Sequence, residues 1–464
     1  MDDILKFLLE SLNLGNLLSY PHSTVNVSPI INSKFRADEA STSVCAAVGL
    51  VTSHLWEILS GQRQSIEVDH TRAALTLVSF MIQKQNGYPL AYPDTHRTWP
   101  KYPIMDSYQT KDGRYIYIDG VYPHLRDGLL DILDCPNNAM ALSAAIQKRN
   151  SFELEEEINR NEMCGCVVRT AEEWNNSPQG KLLSVMPPVK ITKVADGKPY
   201  IPARGSHPLS NIRVLDFTHV LAGPMSTRAL ASQGAEVLHI SGPNVFELFP
   251  FFIDTGHGKR NATLDLNNQN DKEKLKQLLK KTDIFVQGYH PGKFEKFGLS
   301  PNEVFKMKEN IIYTTLSCYG VEGPMGSWGG FEQLGQAASG LMTAHSEGLE
   351  KPEILPAAIC DYLTGYLATL GMTAALCRRA IEGGSYHVEV SLTRTAMWLL
   401  SLGLRKDAHI PGQFPTTLQD HLMDDETCFG TITHLKPVVK YSQTPSHFKY
   451  PVSAWGSSKP NWND

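Results

Sequence analysis

The sequence predicts an α/β protein: a Rossmann-like, doubly wound parallel sheet, a small α+β domain, and an N-terminal helical remnant of a second copy. Three observations lead there. From residue 208 onward apolar strands alternate with helices, beginning "NIRVLDFTHVLAGPMSTRALASQGAEVLHIS". A separate strand–turn–strand, "YPIMDSYQTKDGRYIYIDG", lies upstream. The chain also partly repeats itself. Strands alternating with helices give a parallel sheet covered on both faces. With 464 residues the chain is too long for one simple core.

The first element is a remnant spanning 1–85. Shifted by 322 residues, 39–79 lies on 361–401 without a gap, with eleven of 41 positions identical, among them Gly49, Gly61, Glu67, Val68 and Arg72. Each copy reads as an apolar helix, a glycine stop at Gly61 or Gly383, a short alternating strand ("SIEVD", "YHVEVS") and another helix. More weakly, "PPVKITKV" resembles "KPVVKYSQ". The small domain, 86–200, carries Asp112-Gly113 at the turn of its strand pair. The Gly-, Pro- and Ser-rich stretch 194–210 is the natural linker. The Rossmann-like unit then spans 206–404, and 405–464 is an extended tail packing back on the other domains. Doubly wound sheets bind ligands beyond the carboxyl ends of their strands, here the loops after Phe217, Ile240, Val286 and Ser317.

Composition narrows the function. Hydrophobic content of 42% and charged content of 20% are ordinary for a globular protein. A net charge of −5 gives no overall attraction to nucleic acid or anionic lipid, so neither is an expected partner. Any anionic ligand needs a local basic cluster. Of eight cysteines only Cys164 and Cys166 are close, and a lone CxC is no zinc pattern. Reduced thiols and a cytoplasmic location are expected, with no metal. "MDDILKFLLESLNL" reads as a short amphipathic helix rather than a targeting segment. The apolar run 355–376 holds Asp361, Gly365, Gly371 and several hydroxyls, and reads as a buried helix rather than a membrane span.

The strand at 213 is followed by "HVLAGP", not GxGxxG, which argues against a nicotinamide cofactor. The P-loop, GxSxG and HExxH patterns are missing too. What remains is a set of turns. "GHGKRNATLDL" puts Lys259 and Arg260 where they could grip phosphates or simply be solvated. "VQGYHPG" puts Tyr289 and His290 at the ligand-side edge of the sheet. "SWGGFEQLGQAASGL" offers Phe331 and Glu332 ahead of a small-residue helix. Asp361 opens a long apolar helix. It can be an N-cap, or a carboxylate kept ionised by the helix terminus and able to attack an activated carbonyl.

Five segments in order, "RVLDFTHVLAGPMSTRALASQGAEVLHI", "GHGKRNATLDL", "GYHPGKFEKFGLS", "GGFEQLGQAASGLM" and "DYLTGYLATLGMTAAL", resemble the class III CoA-transferases, the CaiB–BaiF family, which includes α-methylacyl-CoA racemase. The resemblance is strong over about 208–402 and implies a shortened tandem fusion. It implies that Asp361 is the catalytic nucleophile, attacking an acyl-CoA to form an aspartyl intermediate and passing CoA to a carboxylic acid. His219, Val220 and Ala222 of the "THVLAGP" turn, Lys259, Arg260, Tyr289, His290, Phe331 and Glu332 then line the CoA site. Acyl-CoA is substrate, and no permanently bound cofactor is implied. The racemases place a histidine where this chain has Phe331, which weighs against racemisation; a non-catalytic CoA-binding protein is the other alternative. Three departures stand out: Ser241 replaces the glutamate that usually ends the second strand, Gln287-Gly288-Tyr289 replaces "ENF", and the covering glycine-run loop is missing. Relatives form interlocked dimers, so this chain either dimerises or completes the interlock internally.

Overall fold

The computed structural model describes residues 1–26, 28–91, 102–245 and 247–462. Its central sheet has seven strands: β1 (Lys190–Ala195), β2 (Arg213–Phe217), β3 (Glu236–Ser241), β4 (Lys259–Thr263), β5 (Ile284–Gln287), β6 (Ile312–Ser317) and β7 (Ser385–Ser391). They run in the order β4-β3-β2-β5-β6-β7-β1. From β4 to β7 every pairing is parallel, and β1 closes the edge antiparallel to β7. The six parallel strands therefore follow the doubly wound order, whose switch point lies between β2 and β5. Buried runs such as "VLDF" and "IFVQ" suit strands covered on both faces.

Five helices frame the crevice: α1 (Ala37–Ser60), α2 (Ala222–Ala231), α3 (Glu332–Ser339), α4 (Ile359–Glu382) and α5 (Leu392–Ser401). α1 and α4 are both 24 residues long, and α4 ends at Gly383 as α1 ends at Gly61. Both belong to one continuous apolar core, where Cys377 Sγ approaches Val51 O at 3.8 Å. Asp69 and Ser391 each cap the following helix, accepting the N–H of Arg72 and Arg394. Among the described residues one helix, α1, is long and apolar enough to cross a membrane, and 78% of its apolar window is buried inside the protein.

The small domain contains the expected hairpin, Met105–Gln109 with Tyr115–Asp119, extended by Gly165–Val167. Gly113 takes φ 77° at its turn, where a side chain would be strained. Residues 92–101 of this segment lie outside the described residues.

Two expected borders depart from the strand pairing. Lys190–Ala195, assigned by sequence to the small domain, is hydrogen-bonded into the central sheet. Lys84–Gln85, which pairs with Tyr88–Pro89 across the border at 86, also pairs with Gly430–Leu435 of a tail hairpin formed with Leu422–Thr427. The tail, expected to be extended, thus contains a hairpin. Val439–Tyr441 adds a further strand against Ile66–Asp69. Edge strands satisfy their backbone groups with whatever partner folding brings, which a local pattern does not encode.

Candidate functional site

Asp361 lies in the first turn of α4, but it is not the N-cap. That position is Ala358, which has no capping side chain. The cap comes from across the interface: Glu332, the first residue of α3, accepts the N–H of Cys360 on Oε1 at 2.9 Å and that of Asp361 on Oε2 at 3.4 Å. Gln336, one turn further on, donates to Glu332 Oε1 at 2.8 Å and accepts the N–H of Leu355 at 3.0 Å. This pair binds both ends of the segment leading into α4. The local-cap reading of Asp361 is therefore corrected. A carboxylate supplied by a neighbouring helix satisfies the orphan N–H groups instead.

The two carboxyl groups are close enough to act on each other's protonation. Burial pushes both upward, and the neighbouring negative charge pushes Glu332 further. Two carboxylates that touch in a dry site cannot both ionise readily, so the pair retains a proton to higher pH than ordinary carboxyls do. This corrects the expectation that the helix terminus alone keeps Asp361 charged. Both are buried, Glu332 at 2% exposure and Asp361 at 8%.

A third carboxyl stands near. Asp119 ends the small-domain strand, fully buried, and its charge is felt at Asp361. Its Oδ1 accepts the N–H of Val121 at 3.2 Å while Oδ2 has no hydrogen-bond partner. Burial raises it to about 7. Tyr122 stacks on Phe331, with ring centroids 5.9 Å apart at 20°. Phe331 thus joins the small domain to the start of α3.

The "THVLAGP" turn sits at the switch point. His219 is held between Glu247, on Nδ1, and the Tyr289 hydroxyl, on Nε2. Residues from three crossover loops therefore meet in one chain. Burial and the Glu247 charge keep Tyr289 well above the usual phenol range. Val220 adopts φ 68°, a costly conformation for a β-branched residue and a sign of a constrained turn. Ala222 opens α2, and its carbonyl lies so near Gly365 that a Cβ there would stand 2.6 Å from it. Gly365 is one turn beyond Asp361, so this close approach brings α4 against the turn.

Lys259 and Arg260 part company. Lys259 is 2% exposed, and its Nζ binds Asp216 Oδ2 at 3.0 Å and Pro224 O at 2.7 Å. Burial works against the charge on both partners, but the ammonium and the Thr218 and Thr227 hydroxyls still hold Asp216 below the ordinary carboxylate range. Lys259 borders a small recess with Val220, His239 and Glu247, yet its ammonium is engaged. Arg260 points to the other face, onto Asn461 and Lys459 of the tail. Of the two readings of this turn, phosphate grip or solvation, neither describes these side chains here, since each is engaged by other groups of the chain. Successive residues of a strand face opposite ways, and a buried carboxylate claims the inward one. His290 Nδ1 meets Pro291 O at 3.2 Å and its ring flanks Gly329, near the Phe331 turn rather than His219.

Sequence reasoning missed Asp216, Glu247, Asp119 and Tyr122. Asp216 had a signal, a carboxylate inside the apolar strand "VLDF". Glu247 supplies an acidic group in the loop after β3, the strand whose end lacks the family's glutamate. Nothing local marks it.

The family model described as CoA-transferase family III matches residues 23–200 and 209–431. The acetyl-coenzyme A transferase nodX of Hypoxylon pulicicidum is 29% identical over 419 residues, 81% of this chain and 70% of that protein. The mouse succinyl-CoA:glutarate CoA-transferase is 30% identical over 210 residues, 42% of this chain and 48% of that protein. A crystal structure of the hypothetical protein Rv3272 from Mycobacterium tuberculosis aligns with TM-score 0.40 at 31% identity, covering 42% of this chain and 56% of that one. Apart from nodX, the chain spans about half the length of these relatives.

Proposed function

The chain belongs to CoA-transferase family III, and on that premise we propose that it moves coenzyme A between an acyl-CoA and a carboxylic acid, with Asp361 as nucleophile. The observation that carries this reading is the carboxyl pair. Asp361 is held at a helix start by Glu332, whose carboxylate accepts its backbone N–H, and it is the less buried member of the pair.

In this reading Asp361 attacks the thioester carbonyl as a carboxylate while Glu332 keeps the proton of the pair. The C–S bond breaks, CoA leaves as thiolate, and an acyl–aspartyl anhydride remains. The thiolate then attacks the aspartyl carbonyl, releasing the first acid and leaving an aspartyl-CoA thioester. An incoming carboxylate reverses the sequence, and no proton is consumed overall. The helix terminus favours negative charge on Asp361, while the Cys360 and Asp361 N–H groups hold Glu332 in place beside it. The Tyr122–Phe331 stack limits water, which would hydrolyse the anhydride. His219, Tyr289 and Glu247 form the wall at the switch point where the nucleotide end of CoA is received. Racemisation would need a second acid/base at residue 331, which is phenylalanine.

Intact mass spectrometry after incubation with a panel of acyl-CoAs tests this directly. Wild type should gain a hydroxylamine-sensitive adduct mapping to Asp361, and Asp361→Ala should gain none. An adduct elsewhere, or equal labelling of both, overturns the assignment.

A further inference from the structure

Away from the carboxyl pair a second cluster stands out. His257 lies in the turn between helix Phe249–Thr255 and β4. Asp425 and His434 lie on opposite strands of the tail hairpin. Asp425 Oδ2 is 3.3 Å from His257 Nδ1 and 3.0 Å from His434 Nε2. The two imidazoles are wholly buried, while Asp425 is a quarter exposed. The rings face each other, with centroids 3.8 Å apart at 24°. Neither nitrogen of His257 has a well-formed hydrogen bond, and Nδ1 of His434 has none. Buried polar atoms without partners are uncommon and call for an explanation.

We propose that His257, Asp425 and His434 form a binding site for a divalent transition ion of the zinc class, joining the tail hairpin to the turn that enters β4. The three donor atoms lie within 4.8 Å of one another. Two atoms bound tetrahedrally at about 2.0–2.1 Å from zinc stand roughly 3.3 Å apart, close to both measured separations. Two imidazoles and one carboxylate suit zinc, cobalt or nickel better than calcium or magnesium. The stacked rings must open slightly to aim at one ion, a rotation of one imidazole about its Cβ–Cγ bond. The exposed edge of Asp425 leaves a route in and a fourth position for water. The other cluster of this kind among the described residues, His219, His239 and Glu247, is already spent: His239 uses both nitrogens on Asn261 and the Thr218 carbonyl, and His219 uses both on Glu247 and Tyr289. The ligands of the proposed site sit far apart in sequence, so no spacing motif announces them.

The test uses the full-length, untagged chain. After stripping with chelator it should take up one equivalent of Zn²⁺, and Co²⁺ in its place should give the visible absorption of a tetrahedral site. Zinc should raise the Tm of wild type. Asp425→Asn, which keeps the side chain's shape, and His257→Ala should each weaken zinc binding more than about a hundredfold. Wild type and Asp425→Asn binding zinc alike would overturn the proposal, as would a wild-type Tm indifferent to both zinc and chelator. Because Asp425→Asn spares the buried rings, a folding defect in His257→Ala leaves the test intact.

Discussion

Glu332 caps the helix that carries Asp361: its carboxylate accepts the backbone N–H of Asp361 itself at 3.4 Å, beside that of Cys360 at 2.9 Å. One side chain therefore orients the nucleophile's helix turn, while burial raises the nucleophile's own proton affinity and Glu332 works against that rise. Glu332→Ala removes these acceptors and should cost about 1–3 kcal/mol in stability, measured by denaturant unfolding.

Glu332→Gln separates capping from titration. It retains a carbonyl acceptor for the helix but removes the second titrating carboxyl. Both carboxyls titrate above the usual range, so the acid limb of kcat/KM for wild type should lie above the ordinary carboxylate value of about 4. Below it both groups are protonated and no nucleophile remains. In Glu332→Gln the limb should stay above about 4, because burial and not the Glu332 charge holds Asp361 up, and the profile should follow a single titration. A limb that falls to about 4 would mean that the Glu332 charge, rather than burial, raises Asp361.

Asp119 makes stability depend on pH. Its folded pKa is raised to about 7 by burial, against about 3.9 unfolded. The folded state holds the proton more tightly, so this contribution is fully present below pH ~4 and is lost as pH rises through about 7. Asp119→Asn should therefore be more stable than wild type at pH 8, by up to a few kcal/mol, with the difference vanishing near pH 4. Thermal melts at the two pH values decide it.

Gly365 faces the carbonyl of Ala222 at a distance no Cβ tolerates. Alanine in place of glycine inside a helix ordinarily stabilises by about 1 kcal/mol. Here the sign should reverse: Gly365→Ala should destabilise by about 1–3 kcal/mol and lower kcat as the Asp361 turn is pushed off the His219 turn. A raised Tm would refute the packing argument.

Lys259 and Arg260 should respond oppositely. Removing Lys259 leaves the Asp216 charge buried without its partner, costing about 3–5 kcal/mol, and Asp216→Asn in the same chain should recover part of it. Arg260→Ala should leave the KM for acyl-CoA unchanged, since that side chain binds the tail. A KM several-fold higher would return Arg260 to the ligand site.

The sequence by itself determined the elements whose information is local. The strands from Arg213 to Ser317, the helices between them and the glycine stop after each long helix follow from periodicity and backbone preference. The order of motifs sufficed to single out Asp361, Glu332 and the His219 turn. Only tertiary structure decided what those groups meet. It seated Glu332 on the N-terminus of another helix, turned Lys259 onto Asp216 and Arg260 onto the tail, and brought Glu247, Asp119 and Tyr122 in from distant loops. Hydrogen-bond partners, burial and proton affinity belong to pairs of residues far apart in the chain, and a pairing energy exists only once packing has excluded the water that would otherwise satisfy each member alone.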